Sequence, residues 1–249
     1  IIKNNSLQNK TLKFFEKILY KNSDFIGVQS PKNINYFDDH YQNYKHKVRL
    51  LYNWINPINL NLNENYLLDH KKQNIVYVGN LGIAQNINFL KSLLKHLSKK
   101  KDLNFSFFSS GSHLNELKSF VLRNEFENVI FIDPIPNEKL IYQISIADLG
   151  IVSLSSDFRT HNIPGKFLSY LIAGIPVGCS INLNNDLFEI VNKYDVGFCE
   201  NSENISSFTS KLDCFLFNIK DKKYKKNCDK LVNDLFSTHK AYLEILSNV

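Results

Sequence analysis

Along this chain, short unbroken apolar runs alternate with longer stretches in which apolar residues return every three or four positions. The runs at residues 75–78, 103–108, 129–132, 149–154, 175–179 and 196–199 read as strands buried on both faces. The stretches between them, 86–97, 114–122, 138–147 and 187–194, read as helices; in the first, Ile87, Leu90, Leu93, Leu94 and Leu97 share one face. Strands that alternate with helices pair in parallel through right-handed crossovers, so the pattern predicts an α/β fold: a Rossmann-like parallel sheet with helices on both faces. Ahead of it, residues 6–20 predict a helix, 24–30 a short buried strand and 33–40 a turn or short helix. Such a piece cannot bury both of its faces and reads as the end of an upstream α/β domain. Residues 45–57, KHKVRLLYNWINP, show no period and end in proline, as a crossing between domains does. Residues 202–249 predict helices, with Leu231, Leu235, Tyr242, Leu243 and Leu246 as an apolar stripe that packs back on the sheet or on the preceding domain. The expected boundaries are 1–57, 58–200 and 201–249.

Composition narrows the class. With 249 residues, 43% of them hydrophobic and 22% charged, the chain has enough apolar material for one generous core or a domain and part of another. A net charge of +6 favours anionic partners, or is simply a solvated basic face. Cys179, Cys199, Cys214 and Cys228 have no C-x-x-C spacing, and two of them lie in apolar runs, so a reduced, cytoplasmic protein is expected. No apolar run approaches the length of a membrane span. The chain opens on Ile1 and holds no Met, and further residues are expected before it.

The candidate chemistry concentrates at residues 157–191, DFRTHNIPGKFLSYLIAGIPVGCSINLNNDLFEIV. An apolar strand leads into a polar loop, and a helix is expected to restart at Pro164, Gly165 and Lys166, the proline suiting a first helical turn. A helix start with unpaired N–H groups and a lysine beside it makes an anion site, at the sheet edge where open α/β folds bind ligands. Gly79 and Gly82, with Asn80 between them, follow the first strand of the domain. Ser110 and Gly111 follow the second and Gly165 the fourth, so several turns are expected at one rim, either to admit a phosphate-bearing ligand or merely to satisfy tight backbone angles. Neither G-x-G-x-x-G nor a P-loop occurs, which disfavours NAD, FAD and the usual nucleotide triphosphate cradle. Asp186 is expected to cap the next helix, with Glu189 at capping-box spacing.

Taken together, VYVGNLG at 76–82, the Ser110–Gly111 turn, the turn at 133–136 with Ile135, PGKFLSYLIAGIPV and NNDLFEIV resemble the C-terminal, donor-binding domain of GT-B glycosyltransferases of family four. DFIGVQSP resembles the last strand of that family's N-terminal domain, and KVRLLYNWIN its interdomain connection. Within the family the likeness is greatest to transferases of N-acetyl-L-fucosamine and related amino sugars in bacterial surface polysaccharide synthesis. The resemblance implies retaining transfer from a UDP-sugar to a lipid-linked saccharide acceptor, without a metal or other cofactor. It implies the anionic inner face of the cytoplasmic membrane as a peripheral contact, through the basic residues 45–49 and 220–230, and no nucleic-acid partner. Gly79, Asn80, Gly82, Ser110, Gly111, Ile135, His161, Asn162, Pro164, Gly165, Lys166, Ser169, Asn185, Asp186, Leu187 and Glu189 are the donor-binding residues it implies, Lys166 facing the diphosphate. The sequence departs from the family where two glutamates are usual: His161 and Ser169 stand there, so neither carboxylate role carries over. No catalytic base is named by these residues. A nucleotide-sugar epimerase of the same architecture and a non-catalytic nucleotide- or partner-binding member remain as alternatives.

Overall fold

The structure is a computed structural model that describes residues 7–56, 58, 65–156, 162–201, 203–219 and 223–248. Its main body is a six-stranded, all-parallel sheet in the order β5-β4-β3-β6-β7-β8. The strands are β3 (Gln73–Asn80), β4 (Leu103–Ser110), β5 (Val129–Ile132), β6 (Leu149–Ser153), β7 (Val177–Ile181) and β8 (Gly197–Asn201). Between them run the helices α3 (Ile87–Leu97), α4 (Leu114–Arg123), α5 (Asn137–Ile144), α6 (Gly165–Ala173) and α7 (Asp186–Tyr194). The chain starts in the middle, at β3, builds outward through β4 and β5, then returns to add β6 beside β3 and continue the other way. The order of the strands therefore reverses between β3 and β6, and a crevice opens there at their carboxyl ends.

Both sheet faces are covered, which is why the strands read as solid apolar runs rather than alternating ones. Ile75 and Tyr77 of β3 pack with α3, α4 and the helix α8 (Ile205–Asn218), while Val76 and Val78 point to the opposite core with α5, α6 and α7. On that second face also lie α9 (Lys223–Leu231) and a π-helical turn, Val232–Phe236, followed by α10 (Thr238–Leu246). One run that periodicity made a single helical region is thus split between the two faces of the sheet.

The leading segment forms a small second unit. Helix α1 (Leu7–Asn22), strand β1 (Ile26–Val28), helix α2 (Pro31–His40), a 3₁₀ turn (Gln42–Lys47) and strand β2 (Val48–Leu50) surround a core of Ile26, Val28, Phe37, Tyr41 and Val48. Strand β2 pairs in parallel with β1, so the stretch read as a featureless crossing contains a strand and a helical turn. Three residues are too few to show a period, and their partner is distant in sequence. The crossing proper is pinned to the C-terminal part: Ile55 N–H donates to Phe236 O at 2.9 Å and the Tyr52 ring meets Phe236 edge-on at 5.3 Å.

Candidate functional site

The crevice owes its shape to Tyr170 on α6. Strands β3 and β6 keep register only at Ile75–Leu149 and Val76–Gly150. Beyond that point the Tyr170 hydroxyl enters between them, accepting from Val78 N–H at 3.0 Å and donating to Ile151 O at 3.0 Å. A side chain thus replaces rungs of the ladder, the strand ends part, and α6 is fixed against the sheet one turn from its own start. Gly150 leaves the room for this: a Cβ there would lie 2.5 Å from the Tyr170 ring.

At the parted ends lies a hollow of about 470 Å³. Its walls come from the end of β3 and the loop after it (Val78, Gly79, Asn80, Ala84, Gln85), from α5 (Asn137, Leu140), and from the segment entering α6 (Asn162, Pro164, Gly165, Lys166, Ser169), with Leu154 beneath. Seven residues expected from sequence, Gly79, Asn80, Asn162, Pro164, Gly165, Lys166 and Ser169, are brought together here. Helix α6 begins at Gly165, and Pro164 is its extended N-cap (ψ 138°) instead of a first-turn residue. A proline in that place has no side-chain oxygen to cap the helix, and none is supplied, so the positive end of the helix opens on the hollow.

Lys166 is the only ionisable residue among the described residues of this lining. Its stem is partly exposed along the wall, but the ammonium nitrogen is sealed from solvent and has no hydrogen-bond partner among the described residues; it rests 3.5 Å from the centre of the Tyr77 ring. Desolvation lowers its pKa to about 7. The aromatic face offsets part of that cost. The remaining polar groups of the wall, Asn80, Gln85, Asn137, Asn162 and Ser169, are neutral hydrogen-bonding side chains. Chemically, the arrangement offers one free helix start, amides and a hydroxyl to read neutral groups, and a lysine whose nitrogen is held dry against Tyr77 beside them.

The other expected residues lie elsewhere. Gly82 is buried, and its N–H donates to Gln85 Oε1 at 2.8 Å, while Leu81 N–H donates to Ser110 O at 2.7 Å. The loop after β3 therefore consumes amides that had been expected to meet phosphate. Gly111 (φ +122°) packs so closely on Leu81 that a Cβ would meet its backbone oxygen at 2.6 Å, which makes it a loop-to-loop contact and leaves Ser110 beside the hollow rather than in it. Ile135 is half-buried against the core, and Leu187 is wholly within it. His161, with Asp157 and Thr160, lies outside the described residues.

The capping expectation at α7 is corrected. Asn185 is the N-cap, its side chain accepting from Leu187 N–H at 2.9 Å, and Asp186 is the first helical residue. Asp186 is freed from capping because a distant partner claims it: its Oδ2 accepts from Lys32 N–H, in the first turn of α2, at 2.9 Å. The buried carboxylate so lies between two helix N-termini, where both dipoles favour it. Lys32 Nζ also reaches exposed Glu189 at 3.2 Å, and Asn33 holds Asn162 of the hollow at 3.2 Å. These contacts tie the small unit to the rim of the crevice.

Gln85, Asn137 and Leu140 were missed. Gln85 and Asn137 stand just before or at a helix start after a rim loop, so the rule that found Gly79 and Gly165 would have found them had it been extended past glycine and lysine.

Solved structures share this architecture. The chain superposes on a mutant of S. aureus TarM in complex with fondaparinux, alpha-GlcNAc-glycerol and UDP, with a TM-score of 0.73 and 11% identity, over 99% of this chain and 48% of that one. Sucrose-phosphate synthase from Thermosynechococcus elongatus gives 0.73 with 16% identity, over 98% and 62%. Anabaena HepE, in complex with UDP and glucose, gives 0.70 with 12% identity, over 96% and 66%. The chain thus spans about half to two-thirds of the length of these proteins, and at such identities the likeness is one of fold, the GT-B α/β architecture. No curated protein sequence matches it. Residues 60–231, which include the whole crevice-bearing sheet, match the family described as Glycosyl transferases group 1, and the chain belongs to that family.

Proposed function

We propose that the chain carries the donor site of a retaining glycosyltransferase of family four, which moves an N-acetylated amino or deoxyamino sugar from UDP to a lipid-linked glycan in bacterial surface polysaccharide synthesis. The observation that carries the reading is the uncapped start of α6, opening on a neutral hollow at the switch point of the sheet, with Lys166 beside it; its nitrogen rests against Tyr77 and would turn from the ring to meet an anion. A diphosphate supplies what that site lacks. As sugar leaves, charge grows on the terminal phosphate, and the helix dipole, joined by Lys166 once it turns from Tyr77, would stabilise that charge without a metal. Asn80, Gln85, Asn137 and Ser169 would orient ribose, base or sugar. TarM and HepE are each solved in complex with UDP, which supports the nucleotide assignment.

Within this reading, the base for the acceptor comes from an upstream acceptor-binding domain or from the leaving phosphate itself, and the chain by itself binds UDP without transferring sugar. Residues 45–49, on the small unit, remain candidates for contact with anionic lipid. Among the described residues no helix is long and apolar enough to cross a membrane. Calorimetry with UDP, UMP and uridine tests the site: affinity should fall in that order, and equal affinity for UDP and uridine would reject a diphosphate at Lys166. One observation favours a non-catalytic, nucleotide-binding member instead, namely that no carboxylate lines the hollow among the described residues. Mass spectrometry of reactions containing UDP-N-acetylamino sugars, a lipid-linked acceptor and the full-length protein separates the two, since only the enzyme yields an extended lipid.

A further inference from the structure

Helix α2 of the small unit begins without a cap of its own. Ser30 stands at the N-cap, a residue type suited to that role, yet its side chain makes no capping bond and its hydroxyl is buried without a partner among the described residues. Pro31 follows and has no N–H to give, so Lys32 N–H is the first that the helix presents. The carboxylate of Asp186 accepts it, from 154 residues away along the chain. Lys32 turns its own side chain back on the same carboxylate, Nζ lying 3.8 Å from Oδ1, and on Glu189 about one turn further along α7. Asp186 is 3% exposed, so its charge is met by a backbone N–H, an ammonium and two helix dipoles rather than by water.

This contact adds to the one made by the crossing segment, where Ile55 N–H is fixed on Phe236 O. A single attachment leaves a hinge free, whereas two attachments set an angle. The next residue of α2 carries that angle to the hollow. Asn33 Nδ2 donates to Asn162 Oδ1 at 3.2 Å, and Asn162 lines the hollow, although among the described residues none of the small unit does. An amide side chain has an acceptor end and a donor end. With its oxygen taken by Asn33, Asn162 keeps an NH2 that has no partner among the described residues and is left to donate to a ligand oxygen. Beside the open start of α6, a donor is the end that an anion calls for.

We propose that the start of α2 is a latch with a positioning role: Asp186, seated on Lys32 N–H, docks the small unit on the crevice rim, and Asn33, held there, aims the NH2 of Asn162 at an acceptor oxygen of the ligand. Lys32 and Asn33 do not line the hollow; both act through residues of the sheet-bearing part. The proposal rests on the nucleotide reading only for the choice of UDP as probe.

Amide exchange at Lys32, followed by NMR on the ligand-free chain, reads the latch. Asp186→Ala should speed it by about tenfold or more, and Asp186→Asn, which keeps an acceptor oxygen without the charge, by a smaller factor. Exchange as slow as the parent's in both would overturn the latch. Calorimetry with UDP reads the positioning. Asn33→Ala should weaken binding about three- to tenfold, the worth of one oriented neutral hydrogen bond. Asn33→Asp should weaken it further, because a carboxylate only accepts and would turn the NH2 of Asn162 toward itself. In an Asn162→Ala background the loss on Asn33→Ala should shrink below about twofold. An undiminished loss there would overturn the positioning role, since it would not pass through Asn162. Coupling is reciprocal, so UDP should slow Lys32 exchange in the parent and not in Asn33→Ala; an unchanged rate in a parent that binds UDP counts equally against the proposal. A chain that binds no UDP sinks the nucleotide reading, and exchange at Lys32 in the Asp186 variants then decides the latch alone.

Discussion

Replacing Lys166 by methionine keeps the length of the side chain and removes the charge, and it should move stability and nucleotide affinity in opposite directions. Burial lowers the ammonium's pKa from 10.5 to about 7. A difference of about 3.5 units, at roughly 1.36 kcal/mol each, makes the cost of holding the cation buried against Tyr77 about 5 kcal/mol at most. Below pH 7 the folded protein carries this whole cost. Between pH 7 and 10.5 the unfolded chain keeps the proton and the folded one does not, so stability rises with pH across that window. Lys166→Met should therefore be more stable than the parent by a few kcal/mol at pH 6, with the gap closing toward pH 10. Urea unfolding at several pH values measures it. Binding has the other sign: once the side chain turns from Tyr77, a phosphate beside the nitrogen restores the cation, so binding of UDP should take up close to one proton near pH 8. Affinity should fall about tenfold per pH unit above 7 in the parent and stay flat in Lys166→Met. At pH 7 the variant should bind UDP about ten- to a hundredfold more weakly, the worth of a charge-assisted bond. Calorimetry in two buffers of different ionisation enthalpy counts the protons. Zero uptake between pH 7.5 and 9, or a variant less stable than the parent at pH 6, would refute the reasoning.

Two further outcomes follow from the same crevice. Tyr170→Phe leaves the buried Val78 N–H without its partner and should cost about 1–3 kcal/mol in urea unfolding; a loss below about 0.5 kcal/mol would mean that the strands re-pair and that the hydroxyl does not hold the crevice open. A Cβ at Gly165 meets nothing within 4 Å, because it would point into the hollow. Gly165→Leu should leave the melting temperature nearly unchanged, since helix propensity rises while no buried contact is lost, yet weaken UDP binding by tenfold or more as the side chain fills the site; unchanged affinity would place the nucleotide elsewhere.

How much of this was legible beforehand depends on the range of the interaction that decided it. Periodicity places α3 and α4 almost where they stand, because a helix face is written in residues three and four apart. The runs at β3 through β8 are legible for a related reason: strands buried on both sides must be apolar throughout. Strand β2 was not legible, since three residues carry no period and its pairing with β1 spans some twenty residues. Asp186 reads locally as a cap and is instead taken by Lys32, from more than 150 residues away, after which Asn185 caps the helix. Asn53 and Trp54 sat in a stretch with no pattern at all, and only the pinning of Ile55 to Phe236 fixes that stretch against the C-terminal part.

By itself the sequence determined the α/β class, the alternation of elements, the rim on which the turns collect and the presence of a lysine at the helix start. Those follow from local rules of burial and backbone geometry. Only the tertiary structure decided that Tyr170 parts β3 from β6, that the loop amides of Leu81 and Gly82 are already spent, and that the Lys166 nitrogen lies dry against Tyr77. Each of these turns on which groups meet across the sheet, and a meeting of distant groups sets solvation and hydrogen bonding in ways that no window along the chain contains.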